Sequence, residues 1–336
     1  MSSTKKLFIF RTDRLGDVLM SLPATILLRE ALPDWEITFV CRSGHHPVLE
    51  PFLKSHRIGL KAPEVEILRE KPDAVLFLFS EPQYQWAALK EGIKVRVGSR
   101  SKWFSFFFLS KSVRQRRSRA EKNEAQYNIE LSQSLLDQLG KSHRQKPPKL
   151  LLPVNESALQ NALTTLNEKS VKNPFLVVHP GMGGSALNLS PAQYVELVKS
   201  LKAKHEIVVT SGPASADQEV KQILLKSLPE LKVIEGISID TLAEIFRQAA
   251  IVVAPSTGPL HLAHLVGTKT IGIFSPVRTH HPDRWAPYGG TAPVSIILPQ
   301  VNCPGTSECQ GPKCPEYLCM DKVSWSKLAE QAAQKK

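Results

Sequence analysis

The chain has 336 residues, 42% apolar and 22% charged, with five cysteines and a net charge of +12. That balance predicts a globular protein of about two domains and excludes a disulfide-built miniature scaffold or a disordered chain. No apolar run approaches the roughly 18 residues that a membrane-spanning helix needs.

At the N-terminus, Lys5-Lys6 and Arg11 enclose only Leu7-Phe-Ile-Phe10, too short an apolar core for a signal peptide. The expectation is a cytoplasmic protein whose cysteines remain thiols. The charge is uneven: residues 1–150 hold 26 Lys and Arg against 16 Asp and Glu, a net of +10, while residues 151–336 hold 17 against 15, a net of +2. The first half is therefore the one expected to meet a polyanion.

Short runs rich in Val, Ile and Phe alternate with amphipathic stretches, the rhythm of βαβ units. The first half reads as a strand over Leu7–Phe10, a helix over Asp17–Ala31, strands over Ile37–Cys41, Ala74–Phe79 and Val95–Val97, and a long helix over Glu121–Leu139 closed by Gly140. Lys146-Pro-Pro-Lys149 lies in an aperiodic, proline-bearing stretch that marks the connection between halves. After a short helix the rhythm restarts: Phe175–Val178, a helix from Pro191, Ile207–Val209, a helix over Ala214–Leu228, Val233-Ile234, a helix over Ile239–Ala250, Ile251–Val253, a helix from Pro259, and Thr270–Phe274. The fold class is α/β, with two doubly wound parallel sheets.

In such sheets ligands bind at the carboxyl ends of strands. After Val178 comes His179-Pro-Gly-Met-Gly-Gly-Ser-Ala186, whose glycines permit close backbone approach and whose amides and Ser185 hydroxyl suit phosphate oxygens. Gly181, Gly183 and Ala186 formally match the dinucleotide pattern G-x-G-x-x-A, but there the glycines open the helix directly, whereas Ser190-Pro191 is the predicted helix start here. A purely structural turn is the alternative. After Val253, Ser256-Thr-Gly-Pro-Leu-His261 opens a helix whose unpaired amides and positive dipole end suit a diphosphate; ordinary capping by Thr257 is the alternative. His261 and His264 share a helix face and lack a third ligand, which favours packing over metal binding. In the first half, Arg11-Thr-Asp-Arg-Leu-Gly-Asp17 follows the first strand. Asp17 is the candidate proton acceptor, with capping by Asp17 or Asp13 as the alternative.

Taken together, Arg14-Leu-Gly-Asp-Val-Leu-Met-Ser-Leu-Pro23, His179-Pro-Gly181 with Gly-Gly-Ser-Ala186, and Ser256-Thr-Gly-Pro-Leu-His-Leu-Ala263 followed by Gly272-Ile-Phe-Ser-Pro276 resemble the bacterial lipopolysaccharide heptosyltransferases, glycosyltransferase family nine. The resemblance covers nearly the whole chain. It implies a GT-B fold of two facing Rossmann-like domains: an acceptor-binding domain over 1–155, a nucleotide-sugar-binding domain over 156–322 and a C-terminal helix over 323–336. It further implies an inverting, metal-independent transfer of heptose from ADP-heptose to a lipopolysaccharide inner-core acceptor, with the nucleotide sugar as co-substrate and no resident cofactor. Asp17 would be the general base. Thr257, Gly258, Pro259 and His261 would hold the diphosphate region, Gly181, Met182 and Ser185 would lie beside it, and Gly212 and Ile237 would border the nucleoside.

This chain departs from the family pattern at two places. The Lys or Arg expected before Pro191 is missing, and Asn188 stands in that stretch as a hydrogen-bond donor without charge, leaving Arg14 or Arg278 to supply the cation. The acid expected after Gly212-Pro213 is displaced, with Asp217 and Glu219 as candidates. A UDP or GDP sugar donor, or a lapsed nucleotide-sugar-binding protein, are the alternatives that these departures leave open.

Ser101-Lys-Trp-Phe-Ser-Phe-Phe-Phe-Leu109 precedes Lys111-Ser-Val-Arg-Gln-Arg-Arg-Ser-Arg119, five cations within nine residues. An aromatic wedge beside a basic run suits an anionic inner-leaflet surface bearing a lipid-linked acidic oligosaccharide, which makes Arg14, Arg114, Arg116, Arg117 and Arg119 candidate acceptor contacts and the protein peripheral to the inner membrane. A buried strand over Phe104–Leu109 with a solvated arginine loop is the alternative. Nucleic acid is not expected, since no RNA-module signature accompanies the run. Cys303, Cys309, Cys314 and Cys319 lack the C-x2-C spacing of a zinc knuckle and read as structural thiols or adventitious disulfides, with a zinc knot as the alternative.

Overall fold

The computed structural model describes residues 4–142, 149–184, 186–324, 328 and 330–332. Ser185, most of Lys146–Lys149 and most of the helix expected over 323–336 lie outside them. The chain divides into two compact units, Met1–Arg117 with Glu124–Leu150 and Ser118–Asn123 with Leu151–Lys336. Residues 118–123, which chain order would assign to the first half, thus belong with the second, where the Asn123 side-chain amide donates to the Ala286 carbonyl at 2.9 Å.

The first unit holds a six-stranded sheet built from β1 (Lys6–Phe10), β2 (Glu36–Val40), β3 (Ile58–Lys61), β4 (Ala74–Phe77), β5 (Val95–Ser99) and β6 (Lys111–Val113), in the order β3-β2-β1-β4-β5-β6. The second holds β7 (Phe175–Val178), β8 (Glu206–Ser211), β9 (Lys232–Glu235), β10 (Ile251–Pro255), β11 (Lys269–Ile273) and β12 (Val294–Ile297), in the order β12-β11-β10-β7-β8-β9. Every pairing is parallel. Parallel sheets are covered on both faces, so their central strands are apolar throughout. Accordingly Leu7, Phe8, Ile9 and Phe10 are all buried, as are Phe175, Leu176, Val177 and Val178. Phe8, Phe10, Val75 and Phe77 pack with Tyr84 in one core, and Val178, Tyr194, Val198, Val209 and Val253 pack in the other.

Three strands escape the sequence reading, β3, β6 and β12, and each lies at a sheet edge with a half-exposed side-chain pattern. Edge strands face solvent on one side and carry little apolar signal. The helix expected over Asp17–Ala31 is two helices, Leu15–Leu19 and Leu22–Ala31. Pro23 falls in the first turn of the second, the place in a helix where a missing N–H costs nothing. Ser190 is the expected N-cap: its hydroxyl accepts from the Gln193 amide, Gln193 reaches back to the Ser190 amide, and Pro191 opens the helix Pro191–Lys202.

Each sheet has one point at which the chain reverses its direction of travel across the strands, between β1 and β4 in the first and between β7 and β10 in the second. Connections on the two sides of such a point diverge to opposite faces of the sheet and leave a crevice at the carboxyl ends of the two strands.

Candidate active site

In the first unit the crevice between β1 and β4 is filled by charge. Arg11 directly follows β1 and is 1% exposed. Its Nε donates to Asp13 Oδ1 at 2.8 Å, its Nη2 to Asp17 Oδ1 at 2.6 Å, and its Nη1 to the Leu78 carbonyl just beyond β4 at 3.0 Å and to Asn128 Oδ1 at 3.1 Å. Glu124, at the start of the helix Glu124–Gln138, lies 3.4 Å from Arg11 Nη2 and also pairs with Arg117. Asn128 donates to the Met20 carbonyl at 3.2 Å and so ties the helix Leu15–Leu19, which carries Asp17, to the same cluster. Alongside, Thr12 donates its hydroxyl to Glu81, and Arg42 Nε donates to the Thr12 carbonyl at 2.6 Å.

Burial works against the Arg11 charge, yet Asp13, Asp17 and Glu124 outweigh it and raise its pKa. Burial, reinforced by the charge of Asp17 and opposed by that of Arg11, pushes the Asp13 carboxyl up to about 7. The capping alternative does not hold here: the N-cap of Leu15–Leu19 is Arg14, which is exposed, and no side chain caps that helix. Sequence reading found Asp17 but not Arg11, Glu124, Glu81 or any role for Asp13 beyond capping. The available signal was a charged residue placed directly after four buried apolar ones.

In the second unit the donor-binding candidates fall on loops after four neighbouring strands, β10, β7, β8 and β9. After β7, His179 is buried, and its Nδ1 pairs with Thr210 Oγ1 at 2.9 Å; burial lowers its pKa to about 4. Gly181 and Met182 are buried, and Gly183 and Gly184 are exposed with positive φ. Asp217 packs into this loop, accepting from the Met182 amide at 3.3 Å. A Cβ on Gly181 would stand 2.7 Å from Asp217 Oδ2 and one on Gly212 2.5 Å, so a side chain at either position would have to displace the Asp217 carboxylate. Asp217 therefore supports the loop and is 8% exposed, while Glu219 is exposed on the same helix, Ser215–Ser227. Ile237, after β9, is half-buried.

Asn188 is also committed to the loop. Its amide donates to the Pro180 carbonyl at 2.9 Å, and its Oδ1 accepts from the Tyr194 hydroxyl at 2.7 Å and the Leu189 amide at 2.8 Å. The sequence expectation of a free donor at this position gives way to a brace across the loop.

After β10, the Ser256 amide donates to the Ile273 carbonyl at 3.1 Å. Thr257 is the N-cap of the helix Gly258–Leu265, with an extended backbone and no side-chain capping bond, and Thr257, Gly258 and Pro259 are half-buried. The hydroxyl at this helix start is not consumed by capping. One turn in, His261 is 3% exposed and its Nδ1 has no hydrogen-bond partner among the described residues; burial, with a contribution from His264, lowers its pKa to about 3. His264 Nε2 accepts from the Gly290 amide at 3.0 Å.

The basic run divides by role. Arg117 pairs with Glu124, donates to Gln115 Oε1 at 3.1 and 2.9 Å and lies 5.5 Å over the Tyr127 ring, so it belongs to the buried cluster. Arg114, Arg116 and Arg119 are exposed, the last within 3.6 Å of Glu121. The aromatic segment is not a buried strand: Ser105–Phe108 is a single helical turn, and Trp103, Phe106 and Phe107 are 80%, 60% and 64% exposed. Trp103 and Phe106 both contact Phe107 edge-on, and Arg100 lies over Phe106.

Among the described residues, no helix is long and apolar enough to cross a membrane, and no group of three or more His, Cys, Asp and Glu is arranged to hold a metal ion. Cys41 is buried with its thiol pushed up to about 12; burial together with Cys309, Cys303 and Cys314 raises that of Cys319.

Two Rossmann-like units of this strand order, each with polar residues at its reversal point, make an α/β architecture of the GT-B type. Residues 74–310 match the model of glycosyltransferase family 9 (heptosyltransferase), and the chain belongs to that family. It is 32% identical over 302 residues, 84% of this chain and 86% of the other, to a Haemophilus influenzae protein named "Putative glycosyltransferase". Among solved structures, the Escherichia coli ADP-heptose lipopolysaccharide heptosyltransferase II superposes with a TM-score of 0.74 at 19% identity, covering 98% of this chain and 97% of that one. E. coli heptosyltransferase WaaC with ADP superposes with a TM-score of 0.66 at 17% identity, covering 97% and 98%.

Proposed function

We propose that this glycosyltransferase moves heptose from ADP-heptose to a lipopolysaccharide inner-core acceptor, with inversion at the anomeric carbon and without a metal ion. Asp17 takes the proton of the acceptor hydroxyl, whose oxygen attacks the anomeric carbon as the diphosphate leaves from the opposite face. Amides at Gly258 and the Thr257 hydroxyl hold the diphosphate at the start of the helix Gly258–Leu265, with Gly181 and Met182 beside it and Ile237 against the adenine. Arg278, exposed on the loop after β11, supplies the cation absent from the Asn188 stretch.

The observation that carries this reading is the pairing of two chemistries with two reversal points: a carboxylate cluster at one, and amides with an uncommitted hydroxyl at the other. Relatives named for ADP-heptose or bound to ADP support the choice of donor. The exposed Trp103, Phe106 and Phe107 beside Arg114, Arg116 and Arg119 support peripheral binding at the cytoplasmic face of the inner membrane, where an acidic lipid-linked acceptor is presented.

The test is a thermal-shift panel with ADP, UDP and GDP, repeated in excess EDTA. A ligand that binds only the native state raises the melting temperature. ADP is expected to raise it alone, and equally in EDTA. A shift with UDP or GDP instead reassigns the donor, a shift with none removes the donor site, and a shift lost in EDTA overturns the metal-free mechanism.

A further inference from the structure

Arg42 lies two residues beyond β2, is exposed, and makes no ion pair among the described residues. Its Nε donates to the Thr12 carbonyl at 2.6 Å, and Thr12, which is 4% exposed, donates its hydroxyl to Glu81 on the loop after β4. The loops after three neighbouring strands, β2, β1 and β4, are thereby fastened to one residue. Thr12 itself sits between Asp13 and Arg11, and Arg11 holds Asp17 at 2.6 Å. The tie uses one of the five guanidinium N–H groups, and the two terminal nitrogens of Arg42 have no hydrogen-bond partner among the described residues. Ser43 and Gly44 beyond it are exposed, and a Cβ on Gly44 would meet nothing within 4 Å, so nothing covers the loop there.

We propose that Arg42 is the subsite for an anionic substituent, a phosphate or a carboxylate, on the acceptor sugar, and that it decides which acceptors this enzyme takes. The inference rests on the reading of the first unit as acceptor-binding, with Asp17 as its base. A guanidinium presents its nitrogens as a rigid planar fork that matches two oxygens of a phosphate or carboxylate at once. Fastening Nε to a backbone carbonyl orients that fork before the ligand arrives, which lowers the side-chain entropy lost on binding. Because the carbonyl belongs to Thr12, an anion on Arg42 is held against the same stretch of chain that carries Arg11 and, through it, Asp17. Binding the substituent therefore orients the sugar that bears the attacking hydroxyl. Exposed cations with no such tie, Arg114 and Arg116 among them, draw the enzyme to an anionic surface without selecting one group on it.

The test is calorimetric titration of deacylated inner-core acceptor into the enzyme without donor, comparing wild type with Arg42→Gln. The glutamine amide keeps a donor for the Thr12 carbonyl and removes the cation. The variant should bind the untreated acceptor about 30-fold more weakly, the loss of hydrogen bonds between two charged groups, with the ADP-induced melting shift unchanged. The source of the anion is separated on the acceptor: one sample is treated with phosphatase, a second has its carboxyl groups reduced to alcohols, and a third has both treatments. Loss of the difference between the two proteins after phosphatase assigns a phosphate to Arg42, and its loss after reduction assigns a carboxylate. No difference with the untreated acceptor overturns the proposal. So does a difference that survives both treatments together, since a variant that had merely lost structure would bind every sample more weakly. Failure of the wild type to bind any of the acceptors would instead remove the acceptor-binding reading of the first unit, on which this one rests.

Discussion

The two sheets reverse direction in the same way, yet their reversal points are furnished with opposite materials. Between β1 and β4 stands a buried guanidinium with carboxylates around it; between β7 and β10 stand glycines, an uncapped threonine and histidines that burial holds neutral. Buried ions are costly to desolvate and are retained only with close partners, which Arg11 finds in Asp13, Asp17 and Glu124. A site for a diphosphate has the contrary need. Its donors must stay unpaired until the anion arrives, and amides at a helix start achieve this at no charge-burial cost. The comparison teaches that one fold unit, used twice in a chain, is specialised by the loops leaving its strands and not by the strands themselves.

The hardest blow to this contrast would fall at Asp17. Replacing it with Asn keeps the shape and removes the proposed proton acceptor, so transfer should drop about 10³-fold while the ADP-induced melting shift is unchanged. A variant with wild-type turnover would leave the charged crevice as scaffolding only.

The arginines sharpen the picture next. Changing Arg114, Arg116 and Arg119 together to Ser should weaken binding to anionic vesicles about 100-fold at low salt, at about 1 kcal/mol per cation, and leave the melting temperature nearly unchanged. Arg117→Ser should do the reverse, lowering the melting temperature because Glu124 loses a close cation in a buried place. If all four behave alike, Arg117 does not belong to the cluster.

Much of this was readable in the chain. The apolar runs of the central strands, the Ser190-Pro191 helix start and the loops bearing Asp17 and Thr257 all arise from local pattern. The edge strands β3, β6 and β12 were not readable, because half-exposed residues such as Lys111-Ser-Val113 carry no periodicity of their own. Arg11 was not readable either, since its partners Leu78, Glu124 and Asn128 lie 67, 113 and 117 residues away and only the tertiary fold brings them together. Asn188 shows the same limit from the other side: its type suggested a ligand contact, and only its bonds to Pro180 and Tyr194 reveal a brace.

The contrast also has a sign in pH. Asp13 rises from 3.8 in the unfolded chain to about 7 in the fold, so between those values the folded state binds more protons, and its contribution to stability is lost as pH rises through 7. His179 and His261 fall from 6.5 to about 4 and about 3, so there the unfolded state binds more protons, and their contribution is lost as pH falls below 6.5. One proton of difference changes the folded-to-unfolded ratio by about tenfold per pH unit. Hydrogen exchange, corrected for intrinsic rates, should therefore show protection at β7 and at Gly258–Leu265 falling from pH 7 to 5 relative to protection at β1. Equal loss in both units would mean that these groups do not govern the two regions separately.

The smallest effect is the most discriminating, because it separates a capping hydroxyl from a ligand-binding one. Thr257 has φ −148° and ψ 167°, a backbone that valine adopts without strain, so Thr257→Val removes the hydroxyl and preserves the shape. Were the hydroxyl a cap, its loss would cost about 1 kcal/mol of stability. It makes no capping bond, so the melting temperature without ligand should hold, while the ADP dissociation constant rises about tenfold, the worth of one hydrogen bond to a charged oxygen. A lowered melting temperature with unchanged ADP affinity would return Thr257 to the helix and leave the diphosphate to the amides alone.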